Sequence, residues 1–308
     1  MKRWMKLVIL ATMAGPRIVS GQTVTAPEIS CHSDAKFPID MKVLDVAVKR
    51  TSDGVLMPVR VNGSAKTFWF IFDTGAGRTV LDRAAATSLG LKPTSRGSIS
   101  GVGSGRVPVD IVSNQSLEIG DLRLVQVDLR LASIGDTDSS GERPGGIIGY
   151  DLLCATVVRV DFSVPRMTII DLHAFSPPSQ AKDLPIRVRD GWMFVRGTIK
   201  VPGKPPVSDE FLVDSGSEDA VNHPVIRESK GPLRQTRTGA GGFGDSLPGV
   251  IGPNEWFELG QTRIPSTLSA CCAATPEVSR QIGLGILSHF VITFDYHNSR
   301  IYVQPLGD

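Results

Sequence analysis

Phe70-Ile71-Phe72-Asp73-Thr74-Gly75-Ala76 is an apolar run that ends on an acid, a hydroxyl and a glycine. Phe211-Leu212-Val213-Asp214-Ser215-Gly216-Ser217 writes the same pattern again in the other half of the 308-residue chain. Strand-forming residues running into Asp, Ser or Thr, then Gly describe a buried strand entering a tight turn, so each acid is held at a sheet end. One such triplet is expected by chance in roughly one or two chains in ten of this size. Taken alone, either Asp is a turn residue whose carboxylate bonds its own backbone. If the halves are repeats, the two turns face each other across a pseudo-twofold axis and bring two carboxyl groups within hydrogen-bond distance.

The surrounding sequence supports a repeat. At the offset of 141 that sets Asp73 on Asp214, each motif follows a strand, turn, strand, turn, strand pattern. In the first half these segments are 43–48, 52–54, 56–61, Asn62-Gly63 and 68–73. In the second they are 186–189, Asp190-Gly191, 192–199, Pro202-Gly203 and 210–214. Asn-Gly and Asp-Gly between apolar runs signal hairpins. A short helix over 83–89 follows the first motif, capped by Asp82 and stopped by Gly90, and its counterpart begins near 222–224. Two Gly-rich hairpin tips come next, Gly101-Val102-Gly103-Ser104-Gly105 and Gly239-Ala240-Gly241-Gly242-Phe243-Gly244. The closing segments align without a gap at an offset of 134: Ile148-Gly149, Leu153, Val157, Asp161 and Arg166 fall on Ile282-Gly283, Leu287, Val291, Asp295 and Arg300.

Over roughly residues 40–305 these paired motifs resemble the pepsin-like and retropepsin-like aspartic peptidases that carry two lobes on one chain. The resemblance implies an all-β fold of two pseudo-symmetric β-barrel lobes with short helices and a cleft between them. Ile147-Ile148-Gly149 and Gln281-Ile282-Gly283 become the segments crossing behind each Asp loop, Gln281 being a departure from an apolar position. Asp73 and Asp214 become a catalytic dyad that activates water for peptide-bond hydrolysis with no metal and no cofactor. Thr74 and Ser215 would bond across the axis, and Gly75 and Gly216 would let backbone N–H groups approach the carboxylates. The two tips become flaps over a peptide or protein substrate, with Gly101, Val102, Gly103, Gly241, Gly242 and Phe243 as substrate-facing positions. The first tip lacks the Tyr that pepsin-like enzymes carry there, which favours a retropepsin-like site. At the next loop position Ser217 has a hydroxyl and Ala76 has none. A hydrogen bond from Ser217 would favour the ionised form of Asp214, leaving the proton on Asp73.

The N-terminus reads as a secretory signal. Met1-Lys2-Arg3-Trp4-Met5-Lys6 is basic, residues 7–14 are apolar, and Val19-Ser20-Gly21 offers small residues for cleavage. The predicted organisation is a signal peptide over 1–21, a leader over 22–39, an N-terminal lobe over 40–175, a Pro-rich linker over 176–182 and a C-terminal lobe over 183–308. The expected product is secreted or periplasmic, a monomer with an internal pseudo-dimer. No later stretch is long enough to span a bilayer. A formal charge of +2, from 33 Lys and Arg against 31 Asp and Glu, gives no reason to invoke nucleic acid.

Cys154, inside the closing apolar segment, is expected as a buried thiol, with a bridge from Cys31 to Cys271 or Cys272 as an open possibility. Gly239, Gly241 and Gly244 fit a dinucleotide fingerprint by spacing, but Asp245-Ser246-Leu247-Pro248-Gly249 follows where a helix is required. The five histidines are scattered without metal-ligand spacing. Two alternatives stay open on sequence: a peptide-binding module that keeps the fold without cleaving, and lobes that pair between chains.

Overall fold

Alternation decides which way each strand faces. In Thr67–Phe72, Phe68, Phe70 and Phe72 all turn inward and are buried, while the intervening residues keep partial exposure. In Val207–Val213 the inward set includes Phe211 and Val213, both fully buried. Strands of this kind dominate the computed structural model, which describes residues 31–306 except 52–53, 136–142, 163, 240–241, 274 and 277. The proposed signal peptide and the first half of the leader, residues 22–30, therefore lie outside the described residues. The strands form one nine-stranded and one 15-stranded sheet, accompanied by short helices. No helix among the described residues is long and apolar enough to cross a membrane.

The two-fold repeat is visible in the pairing. Val157–Asp161 runs antiparallel to Phe290–Asp295, with Arg159 opposite Thr293. These two residues are each other's counterparts at the offset of 134, so the pseudo-twofold axis passes between them. Outward from that pair lie Arg166–Ile170 and Val43–Ala47 on one side, and Arg300–Pro305 and Lys182–Arg189 on the other. The six strands join the halves, and one continuous core runs from Val46 to Val303 through both. Phe72 and Phe294 meet across it with ring centroids 5.9 Å apart.

The opening segment differs from its sequence reading in one respect. Residues 43–48 read as a single strand before the 52–54 turn, whereas the structure divides the stretch up to that turn in two. Val43–Ala47 pairs with Arg166–Ile170 in the joining sheet, and the separate strand Lys49–Thr51 pairs with Gly54–Val61. In the second half the single strand Lys182–Arg189 performs both tasks, pairing with Arg300–Pro305 at its start and Trp192–Lys200 at its end.

The helix after the first motif spans Arg83–Ser88, and the Asp82 carboxylate accepts from the Ala84 N–H as its N-cap. Gly90 follows at φ +66°, the left-handed conformation that ends the helix. Its counterpart is the 3₁₀ turn Pro224–Glu228, capped by His223.

The cysteine expectation is corrected. Cys154 is not a buried thiol inside a strand. It caps the C-terminus of the short helix Tyr150–Leu153 and is bonded to Cys31, with Cα atoms 5.7 Å apart. Cys271 and Cys272 are bonded to each other, so Cys31 reaches neither. The Cys31–Cys154 bridge ties the start of the described chain to a point 123 residues later. Closing so long a loop removes much of the freedom of the unfolded chain, so Cys31→Ser is expected to cost about 2–4 kcal/mol. A thermal midpoint unmoved by this substitution, measured without reductant, would show that the bridge does not staple the fold.

Candidate active site

Both acids are fixed by the strand that crosses behind them. Gly146–Ile148 runs parallel to Thr67–Phe72 with Ile148 beside Phe72, and the Asp73 N–H donates to the Ile148 carbonyl at 2.9 Å. Gln281–Ile282 runs parallel to Val207–Val213 in the same way, and the Asp214 N–H donates to the Ile282 carbonyl at 3.0 Å. Gln281 is buried, and among the described residues its Oε1 has no hydrogen-bond partner. Each chain then turns at once: Ala76 N–H donates to Asp73 O at 3.1 Å, and Ser217 N–H to Asp214 O at 3.3 Å.

The two turns are locked together by four hydrogen bonds. Thr74 Oγ1 donates to the Val213 carbonyl at 2.7 Å and accepts from the Ser215 N–H at 3.0 Å. Ser215 Oγ donates to the Phe72 carbonyl at 2.9 Å and accepts from the Thr74 N–H at 3.1 Å. Both hydroxyl residues are completely buried. Each hydroxyl thus donates to one backbone group of the opposite turn and accepts from another, so neither is left unsatisfied where it is buried.

This lock brings the carboxyl groups of Asp73 and Asp214 into hydrogen-bond contact. Gly75 and Gly216 supply the space. A Cβ on Gly75 would stand 2.7 Å from Asp214 Cγ, and one on Gly216 would stand 2.5 Å from Asp73 Cγ. Neither position accepts a side chain, because each glycine lies against the acid of the other half. Their N–H groups donate to the acid of their own turn, Gly75 to Asp73 Oδ1 at 2.8 Å and Gly216 to Asp214 Oδ1 at 2.9 Å.

Burial raises the pKa of both acids above the ordinary carboxylate value, because removal from water disfavours the charged form. Asp214 is raised further. Burial is again the largest cause, and the neighbouring charge of Asp73 adds to it. Both shifts run in the same direction, so the pair retains a proton and titrates as a unit. The hydroxyl of Ser217 forms no hydrogen bond to Asp214 among the described residues, and Ala76 has none to offer. The two acids differ in accessible surface, Asp214 being only 8% exposed while Asp73 is half-buried.

The Gly-rich tips belong to hairpins, Ser95–Ile99 with Val107–Ile119 and Arg234–Thr238 with Leu247–Pro253. They meet each other. Ser104 and Asp245 exchange both backbone hydrogen bonds, at 2.9 and 3.0 Å, and the Gly103 N–H donates to Phe243 O at 3.2 Å. Gly101 packs so closely on the Phe243 backbone that a Cβ there would come within 2.6 Å. Val102 packs against Phe194, Leu212 and Val278 of the second half, and Phe243 against Val80, Val109 and Ile134 of the first. Each tip therefore rests on the wall beside the other half's Asp turn. Gly242 lies under Val102, whereas Gly241 falls outside the described residues.

Two tyrosines behind the dyad were not singled out by the sequence. The Tyr296 hydroxyl lies 3.5 Å from the Thr74 carbonyl, and its ring packs at a tilt against Tyr150 with centroids 5.8 Å apart. Their repeat positions are Phe162 and Leu284, so the backing is aromatic and polar on one side only. Among the described residues, no group of three or more His, Cys, Asp or Glu is arranged to hold a metal.

Against known proteins, residues 57–152 match the aspartyl protease family model. The aspartic proteinase from Irpex lacteus superposes over 86% of this chain and 98% of its own, with a TM-score of 0.56 at 13% sequence identity. The chain has the two-lobed, all-β fold of a pepsin- or retropepsin-type aspartic peptidase. No curated protein sequence matches it. The family match ends inside the first half, so the second Asp turn, written Asp-Ser-Gly-Ser, is related to the first by geometry.

A buried acid with a raised pKa stabilises the fold fully below its unfolded value and loses that contribution as pH rises through its folded value. Asp214→Asn is therefore expected to unfold at a higher temperature than the parent at pH 7, by roughly 2 °C for each ~1 kcal/mol recovered. The gain should vanish at pH values below the ordinary carboxylate range. A parent and variant whose difference is independent of pH would contradict the raised pKa of Asp214.

Proposed function

We propose that the chain is an aspartic endopeptidase, with Asp73 and Asp214 sharing one proton and cleaving peptide bonds through an activated water. The carrying observation is the buried carboxyl pair held by the reciprocal Thr74 and Ser215 bonds between the halves. Two carboxylates in contact cannot both ionise cheaply, so the pair keeps a proton and titrates as a unit.

In this mechanism ionised Asp73 takes a proton from a water lodged between the acids as its oxygen attacks the carbonyl carbon of the scissile bond. Protonated Asp214 donates to the carbonyl oxygen as the C=O bond opens, giving a neutral gem-diol. The C–N bond then breaks: Asp73 passes its proton to the departing amine, and Asp214 recovers one from a gem-diol hydroxyl. The pair ends as it began. The Gly75 and Gly216 N–H groups hold one oxygen of each acid throughout, so the reacting oxygens stay in place with little reorganisation.

The substrate class follows from the hairpins. An extended peptide can add its backbone to the two tips once they part, while the apolar walls at Val80, Ile134, Leu212 and Val278 receive side chains. Export to an extracellular or periplasmic compartment is part of the same proposal. It is supported by the basic, apolar and small-residue pattern of residues 1–21 and by the Cys31–Cys154 bridge, which needs an oxidising compartment to persist. The two lobes on one chain supply both acids, so a monomer suffices.

The test is cleavage of a mixed peptide library from pH 3 to 7 by the chain lacking residues 1–21. The parent is expected to cut, with activity persisting above the ordinary carboxylate range because Asp214 holds its proton there. Asp73→Asn and Asp214→Asn are each expected to lower kcat by at least about a thousandfold while remaining folded. Equal activity in all three proteins would remove the dyad from the mechanism.

A further inference from the structure

The two halves pack the short helix after each crossing segment differently. In the first half the helix Tyr150–Leu153 meets the Asp190-Gly191 turn of the other lobe, and the wedge between them is full. A Cβ on Gly191 would stand 3.0 Å from Tyr150 Cγ. Tyr296 packs on Tyr150, the Asp151 carboxylate accepts from Thr79, and Cys154 is bonded to Cys31. At the offset of 134 the counterparts of Tyr150, Tyr296, Asp151 and Cys154 are Leu284, Phe162, Gly285 and Ser288. Each is smaller than the residue it replaces.

The second wedge is open as a result. There the helix Leu284–Leu287 faces the start of strand Gly54–Val61, and a Cβ on Gly54 would touch nothing of that helix. Its nearest neighbour would be the Ser215 carbonyl, at 3.6 Å. Between the two elements lies a pocket of about 230 Å³ whose walls include Arg50, Val55, Phe162, Leu284 and Ser288. Neither acid of the dyad and neither hairpin tip lines it. The walls are mixed in character. Arg50 is fixed in place by donating to the Phe162 carbonyl, and among the described residues it has no acidic partner. The Thr51 hydroxyl is engaged with the Gly54 carbonyl at 3.3 Å, which leaves the Ser288 hydroxyl as the second polar group. Val55, Phe162 and Leu284 make the remainder apolar.

We infer that this pocket between the lobes is a binding site for a monocarboxylate with a compact apolar body, held by Arg50 and Ser288 against Phe162 and Leu284. A single cation in the walls suits a single negative charge, and the planar fork of a guanidinium matches a carboxylate. The volume exceeds the roughly 150 Å³ of an apolar protein cavity that accepts benzene. A free organic acid and the C-terminal carboxylate of a peptide both carry this chemistry. The inference is independent of peptide cleavage, and its test needs no activity.

Benzoate and its neutral isostere benzamide are titrated into the chain at pH 7 by calorimetry. Benzoate is expected to bind with a Kd below about 1 mM, and benzamide about tenfold more weakly. Arg50 is exposed, so Arg50→Gln spares the fold, and it should remove the difference between the two compounds. Leu284→Tyr, which restores the side chain of the first half, should abolish the binding of both while circular dichroism shows the chain folded. Displacement of benzoate by a tetrapeptide ending in phenylalanine, but not by its C-terminal amide, would assign the site to peptide ends, and displacement by neither would assign it to free acids. Equal affinity for benzoate and benzamide, binding that Leu284→Tyr leaves unmoved, or no binding of benzoate up to about 10 mM would overturn the inference.

Discussion

Everything at the centre of this molecule depends on two hydroxyls that each serve the opposite half. Thr74 and Ser215 join strands that come from different lobes, and they do so where no water is available to substitute. A buried backbone N–H or carbonyl left unpaired there costs about 1–3 kcal/mol, so the bonds are worth more as an avoided penalty than as a net attraction. They also set geometry. With the turns fixed relative to each other, the carboxyls that follow cannot separate, and the repulsion between them is met by retaining a proton. The electrostatics of the dyad is therefore a consequence of hydrogen bonding a residue away.

Approximate symmetry is the second theme, and its breaks carry the chemistry. The pairing of Val157–Asp161 with Phe290–Asp295 and the crossings behind both turns follow the twofold closely. The exposures of Asp73 and Asp214 do not, Asp214 being the more enclosed of the two. Tyr296 and Tyr150 back the dyad where Phe162 and Leu284 stand in the repeat, another break at the centre. A duplicated scaffold thus provides two equivalent acids, and local differences assign them unequal tasks.

The scaffold was legible in the sequence because it is written in period-two apolar patterning, turn residues and a constant offset, all of which are local. The paired Asp-hydroxyl-Gly turns, the capped helix and both hairpin tips could be read this way. What depends on three-dimensional exposure could not. Ser217 beside Asp214 suggested a hydrogen bond, yet among the described residues the side chain makes none to that acid. Cys154 read as a strand thiol because its neighbours are apolar, whereas a four-residue helix turns it toward Cys31. Neither the contact between the tips nor the crossing of Val102 and Phe243 to opposite walls has any sequence signature, since each joins residues far apart in the chain.

The most direct test of the account is a carbon-13 NMR titration of the aspartate carboxyls, with Asp73→Asn and Asp214→Asn used to assign the pair. The account predicts two coupled steps, the second of them, assigned mainly to Asp214, well above the ordinary carboxylate range, so that the pair still holds one proton where exposed aspartates are fully ionised. Two independent transitions near the usual aspartate value would contradict it, because carboxyls held in contact by the Thr74 and Ser215 bonds cannot titrate as strangers.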